Sequence, residues 1–141
     1  MATIALDLDG TLVENRWPEL GPWMPGAVEA VRLLLREGHR CYVYSARLGP
    51  TWLDGSDRSP AEVMAAIAEV RDRLDQAGLR EVDIWTGAGK PFWSLLVDDR
   101  CLWYPGRPGS WKAMVPRILT RVGRQKDIDL ELFGGLSADL P

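Results

Sequence analysis

The feature that most restricts how this chain can fold is the alternation of short apolar runs with helical segments. Three of the four runs stop on an acid or a hydroxyl. Ala2–Leu8 is apolar up to Asp7 and Asp9, Cys41–Ser45 ends on a serine, and Ser94–Val97 runs into Asp98 and Asp99, with Val82–Trp85 as the fourth run. Pro25 opens the first helical segment, in which Ala27, Val28, Val31, Leu34 and Leu35 share one face before Gly38 stops it. The second begins at Ser59-Pro60-Ala61-Glu62, which offers an N-cap, a first-turn proline and a capping-box glutamate. Val63, Ile67, Val70 and Leu74 follow on one stripe, and Gly78 ends it. Such alternation predicts an α/β fold: a doubly wound parallel sheet with right-handed crossovers and helices on both faces. Leu12–Met24 and Ala46–Arg58 lack a clean period and contain proline and glycine, so both read as loops; Gly87–Pro91 reads as a turn region and Cys101–Tyr104 as a short fifth strand.

In open parallel sheets, ligands sit beyond the carboxyl ends of the strands. Asp7 with Asp9, Ser45, and Asp98 with Asp99 all fall at such ends, so three distant segments converge on one site. Asp7 and Asp9 are two apart on a strand-like run and start on the same face. Two carboxylates about 4 Å apart repel by roughly 4 kcal/mol at an effective dielectric of about 20, so the cluster calls for protonation or a cation. Hard oxygen ligands suit Mg²⁺, which takes a substrate phosphate oxygen as a further ligand. Burying unpaired carboxylates is costly, which argues against a purely structural role for the pair.

The Asp7-Leu8-Asp9-Gly10-Thr11 segment resembles the first signature of the haloacid dehalogenase superfamily of phosphatases. Ser45 after its apolar run is similar to the second signature, Lys90-Pro91 to the third, and Val97-Asp98-Asp99-Arg100 to the fourth, in the same order over residues 1 to about 112. The resemblance implies a Rossmann-like sheet and a phosphate monoester hydrolase that works through an aspartyl-phosphate. It implies Asp7 as nucleophile and Asp9 as general acid and base. Mg²⁺ would be held by Asp7, Asp98 and the backbone carbonyl of Asp9, with Asp99 orienting the metal's waters. Ser45 and the backbone at Ala46 would bind phosphoryl oxygens, and Lys90 would offset charge at Asp7 and the phosphate. The gaps between signatures leave no space for an inserted cap domain, so the chain looks like the capless class, whose open sites suit bulky substrates or are closed by a second subunit.

Arg47, directly after Ser45-Ala46, is the expected contact to whatever carries the phosphate. Trp17, Trp23 and Trp52, with Arg16 and Arg58 close in sequence, are either a stacking platform with an anion clamp or packing residues for long loops; packing is the favoured role. The expected substrate is a small phosphorylated metabolite or nucleotide. A net charge of −3 gives no footprint for gripping nucleic acid or an anionic membrane, so a phosphorylated nucleic-acid end is the second choice. A catalytically silent phosphate-binding module is a further alternative. A two-component receiver domain is excluded by order, because its phosphorylated aspartate follows the third strand, where this chain has Trp85-Thr86-Gly87.

The 141 residues are expected to form one catalytic domain over 1–122 with a polar tail over 123–141. The N-terminus carries no signal-like segment and no run approaches a membrane span, so a cytoplasmic protein is expected. Cys41 and Cys101 are expected to be buried thiols rather than a disulfide framework, and His39 an exposed turn residue.

Overall fold

A computed structural model describes residues 1–51, 55–87, 90–101, 112–113, 115–121 and 123–124. The chain divides into two compact units, Met1–Asp99 and Arg100–Pro141. In the second unit helical backbone is described between residues 112 and 124. Residue 122, the expected domain boundary, lies outside the described residues, as do nearly all of the expected tail and residues 102–104 of the expected fifth strand. Cys101 is exposed, against the expectation of a core thiol, whereas Cys41 is buried.

The first unit is α/β. Its elements in chain order are β1 (Thr3–Leu6), β2 (Val13–Arg16), β3 (Glu19–Trp23), α1 (Ala27–Arg36), β4 (Arg40–Val43), α2 (Pro60–Gln76), β5 (Asp83–Ile84) and β6 (Leu95–Val97), with a 3-10 turn at Ala46–Leu48. Four strands form one sheet in the order β5-β4-β1-β6, and every pairing in it is parallel. The chain thus winds from β1 outward through β4 to β5, then reverses to place β6 on the other side of β1. This is a Rossmann-like winding, with its switch point between β1 and β6.

Right-handed crossovers in one direction put their helices on one face, and the core reflects that. Ile4, Leu6, Cys41 and Val43, alternate residues of β1 and β4, share a buried cluster with Val31 of α1 and Val70 and Leu74 of α2. The predicted apolar faces are the ones that pack: Ala27, Val28, Leu34, Leu35 and Ile67 lie against the same cluster. Among the described residues helices cover this face, while the opposite face carries aromatic side chains. There Tyr42 meets Trp85 with ring centroids 6.3 Å apart, and Tyr44 meets Trp93 at 5.2 Å.

The capping box forms as read. Ser59 Oγ accepts from the Glu62 N–H at 3.2 Å, and the Ser59 N–H donates to Glu62 Oε2 at 2.7 Å. The carboxyl of Glu62 is held below its ordinary value, first by the hydrogen bond from the Ser59 N–H.

The segment expected as a loop over Leu12–Met24 is instead an antiparallel hairpin of β2 and β3, with Asn15 opposite Leu20 and Arg16 opposite Glu19. Gly21 permits the close pairing, because a Cβ there would stand 2.1 Å from the Glu14 carbonyl oxygen. Arg73 of α2 fastens the hairpin by donating to the Gly21 and Leu20 carbonyls at 2.6 and 3.3 Å. The loop after β4 is likewise organised by an arginine: Arg58 donates to the carbonyls of Arg47 and Gly49.

Candidate active site

The site is built at the carboxyl ends of β1 and β6, where the winding reverses. Asp7 extends β1 by one step, its N–H donating to Val97 O at 2.9 Å. Asp98 and Asp99 follow β6 directly. One carboxylate oxygen from each of Asp7, Asp98 and Asp99 lies within 4.8 Å of the others, and all three residues are half-buried. Asp7 carries the electrostatic consequence. Burial, then the neighbouring Asp98 carboxylate, pushes its pKa up to about 7 from 3.8, against hydrogen bonds from Leu8 and Thr11 that act the other way.

Past Asp7 the backbone makes a tight turn in which the N–H groups of Thr11, Leu12 and Val13 all point to Leu8 O, at 3.1, 2.9 and 3.0 Å. Gly10 sits in this turn at φ 85°, and a Cβ there would lie 2.6 Å from Asp99 Oδ2. Both the backbone conformation and the approach of Asp99 therefore require glycine. The turn delivers Thr11 into the acid cluster. Its Oγ1 is 3.1 Å from Asp7 Oδ2 and 3.4 Å from Asp99 Oδ1, and it accepts the Asp99 N–H at 3.1 Å. Thr11 is a bridging residue whose individual role was not read from the sequence. Its place four residues after Asp7, within one turn, was the available signal.

Asp9, expected as general acid and base, is paired with an arginine. Its carboxylate is outside the acid cluster and forms a two-pronged ion pair with Arg47, Nε to Oδ2 at 2.8 Å and Nη2 to Oδ1 at 2.6 Å. The Arg47 side chain is 5% exposed and that of Asp9 17%. Arg47 also donates to Pro18 O at 2.8 Å and Glu19 O at 3.1 Å, and its guanidinium lies 4.7 Å from the centroid of the Trp17 ring. The expectation that Arg47 faces the substrate is corrected: it is a buried clamp between Asp9 and the hairpin turn. Removing one partner of such a pair strands the other charge, at a cost of about 3–5 kcal/mol. Arg47→Ala is therefore expected to lower the urea midpoint of unfolding sharply, with little change in its slope; an unchanged midpoint would contradict the clamp.

Ser45 begins the 3-10 turn in extended conformation, and its Oγ accepts the Arg47 N–H at 3.2 Å. Its own O–H remains available to donate. Ala46 next to it is exposed. Both stand just beyond β4, the neighbour of β1 in the sheet.

Lys90 follows residues 88–89, which lie outside the described residues. It is exposed, its Nζ lies 5.2 Å from the centroid of the Trp93 ring, and no ion pair joins it to Asp7 among the described residues. The proposed anion clamp is also not assembled. Arg16 pairs with Glu14 at 2.6 Å on the surface, and Arg58 binds backbone carbonyls. Trp23 packs against the core, as the packing role requires, and Trp52 lies outside the described residues. His39 is half-buried rather than exposed, its Nδ1 accepting the Ala2 N–H at 3.1 Å.

Among the described residues no helix is long and apolar enough to cross a membrane. No family model matches the sequence, and no curated protein matches it. Among solved structures the chain is similar to one described as that of a conserved protein from Bacteroides thetaiotaomicron, with 29% identity, 82% of this chain and 90% of that one covered, and a TM-score of 0.50. That similarity agrees with the α/β fold of a Rossmann-like parallel sheet.

Proposed function

We propose that this protein is a divalent-cation-dependent phosphohydrolase whose nucleophile is Asp7. The observation that carries the reading is the acid cluster: Asp7, Asp98 and Asp99 converge within 4.8 Å at the switch point of a parallel sheet. Three carboxylates so close, one of them with its pKa pushed up by burial and by a like charge, fit a hard cation with oxygen ligands, and Mg²⁺ is the expected one. The sequence resemblance to the haloacid dehalogenase phosphatases supports the same chemistry. Asp7, Asp98 and Asp99 would hold the cation. When bound it would offset their charge and polarise a phosphoryl oxygen.

The chain's own groups then divide the work. An oxygen of Asp7 attacks phosphorus, a P–O bond to Asp7 forms, and the bond to the leaving oxygen breaks. The departing oxygen needs a proton, which the sequence resemblance assigns to Asp9; delivering it would require that carboxyl to be protonated and released from its ion pair with Arg47. In the second half water attacks the aspartyl-phosphate, gives its proton to Asp9, and releases phosphate and Asp7. Thr11 orients Asp7 through its hydroxyl, and the Ser45 O–H with the backbone at Ala46 receives phosphoryl oxygens. The substrate class is a small phosphorylated metabolite or nucleotide.

The test is release of inorganic phosphate in Mg²⁺ from sugar phosphates, nucleotides and 3′-phosphorylated oligonucleotides. Turnover of members of the first two groups is expected. Preference for the oligonucleotides would move the substrate to nucleic-acid ends, and no release from any would leave a silent phosphate-binding module.

A further inference from the structure

Tyr42 of β4 and Tyr44 just beyond it leave the same face of the sheet, yet they are held differently. Tyr42 is 5% exposed, and its hydroxyl donates to Phe92 O at 3.2 Å, the bond a buried phenol needs. Tyr44 is half-buried, and its hydroxyl has no hydrogen-bond partner among the described residues. Its ring meets the half-buried Trp93 ring at 5.2 Å with a tilt of 48°. The Trp93 indole N–H and the Lys90 ammonium beside that ring also lack a hydrogen-bond partner among the described residues. Three donors thus rim an aromatic pair without being spent on the fold.

The strand register places this pair next to Asp7. Leu6 pairs with Val43 in parallel, and both side chains enter the helix-side cluster together with Leu8. The ladder continues one step further: the Tyr44 N–H donates to Leu6 O and the Asp7 N–H to Val97 O, each at 2.9 Å. Asp7 and Tyr44 are therefore neighbours on strands about 4.8 Å apart, and both turn to the face opposite the helices. In the order β4-β1-β6, Asp98 flanks Asp7 on one side and Tyr44 on the other.

We propose that Tyr44 and Trp93 form the subsite for the group that carries the phosphate, and that this group is a nucleobase, so that the substrate is a nucleoside monophosphate. The inference rests on the phosphohydrolase reading and narrows its substrate. A flat base stacks on aromatic faces whatever its identity. The phenol, indole and ammonium donors at the rim suit the carbonyl and ring-nitrogen acceptors along its edge. Neither ring takes part in the attack on phosphorus; both act on what the phosphate is attached to.

The experiment compares nucleoside 5′-monophosphates with ribose 5-phosphate, which keeps phosphate and sugar and lacks the base. In Mg²⁺ the wild type should favour the nucleotides at least about tenfold in kcat/KM, the scale of stacking one base on an aromatic side chain. Tyr44→Leu and Trp93→Leu should each lower that ratio about tenfold, through KM for the nucleotide. Tyr44→Phe keeps the ring and should retain most of the preference. A wild type without the preference, or Leu variants that keep it, would overturn the proposal.

A wild type that cleaves neither ester would instead reject the phosphohydrolase reading. The subsite is then read from the Trp93 indole N–H resonance, assigned by its loss in Trp93→Phe. The Asp7→Asn protein, which has one repelling charge fewer, is titrated in Mg²⁺ with adenosine 5′-monophosphate and with ribose 5-phosphate. A shift with the nucleotide alone supports the subsite, and this readout also decides if the Leu variants fail to fold. No shift, or the same shift with both, overturns it.

Discussion

Asp7→Asn is expected to reduce phosphate release at least about a thousandfold, the scale on which removal of a covalent nucleophile acts. The asparagine side chain nearly matches aspartate in volume and accepts the Thr11 hydroxyl in the same way, so the fold should persist. The substitution also changes stability with a defined sign. In the cation-free protein Asp7 keeps its proton up to about pH 7, whereas the unfolded chain releases it near 3.8. Between those values the folded state binds more protons, so stability falls as pH rises across that window and levels off above it. The full fall is on the order of 2–4 kcal/mol for a shift of this size at a half-buried group. Asp7→Asn removes the titrating group, so it should flatten that fall and exceed the wild type in stability above pH 7. Urea unfolding at several pH values in chelator reads this directly. Retained turnover would reject Asp7 as nucleophile, and an unchanged pH slope would reject its burial beside Asp98 as the source of strain.

Much of this site is legible in the sequence, and the parts that are not share a cause. Asp7, Asp98 and Asp99 could be placed because each ends an apolar run, and a buried parallel strand leaves only its carboxyl end for polar chemistry. The amphipathic stripe and capping box of α2 were readable for a similar reason: their periodicity and end signals are local. The hairpin was not readable. Val13–Arg16 is mostly polar, and Glu19–Trp23 contains Gly21 and Pro22, so neither shows strand alternation. They form a ladder because Val13 and Leu20 are buried and Arg73 pins the second strand from another element. The place of Arg47 is hidden from the sequence for an equivalent reason. An arginine just after a serine expected to bind phosphate looks outward in sequence, and only the fold shows that Asp9 and two turn carbonyls wait behind it. The excess of acids over nearby cations at this end of the sheet was a usable hint, since a half-buried Asp9 had to find a counter-charge. Lys90 illustrates the reverse case. The resemblance alone assigned its role, and as an exposed loop residue whose Nζ lies 5.2 Å from the centroid of the Trp93 ring it is not fixed by strand register.

Removing the cation is expected to abolish activity altogether, and the same cluster predicts how stability responds. Without a cation, Asp7, Asp98 and Asp99 confront one another within 4.8 Å and Asp7, the proposed nucleophile, retains a proton near neutrality. A protonated carboxyl does not attack phosphorus, and an ionised one would repel the phosphate dianion. Chelator should therefore eliminate phosphate release, and Mg²⁺ should restore it. Because a cation that binds the folded state alone stabilises it by mass action, Mg²⁺ at about 100 times its dissociation constant should add about 2.7 kcal/mol and raise Tm. That gain should grow as pH rises toward 7, since the proton on Asp7 competes with the cation for the same oxygens. Asp98→Asn removes one ligand and part of the repulsion together. It should lose most of the Mg²⁺-dependent rise in Tm and most of the activity, while its chelator-treated form is at least as stable as the wild type. The pairing of those results is what identifies a metal site rather than a structural carboxylate: a residue needed only for folding would lower Tm in chelator as well. Full activity in excess chelator, or a Tm in Asp98→Asn that responds to Mg²⁺ as the wild type does, would remove the cation from the mechanism.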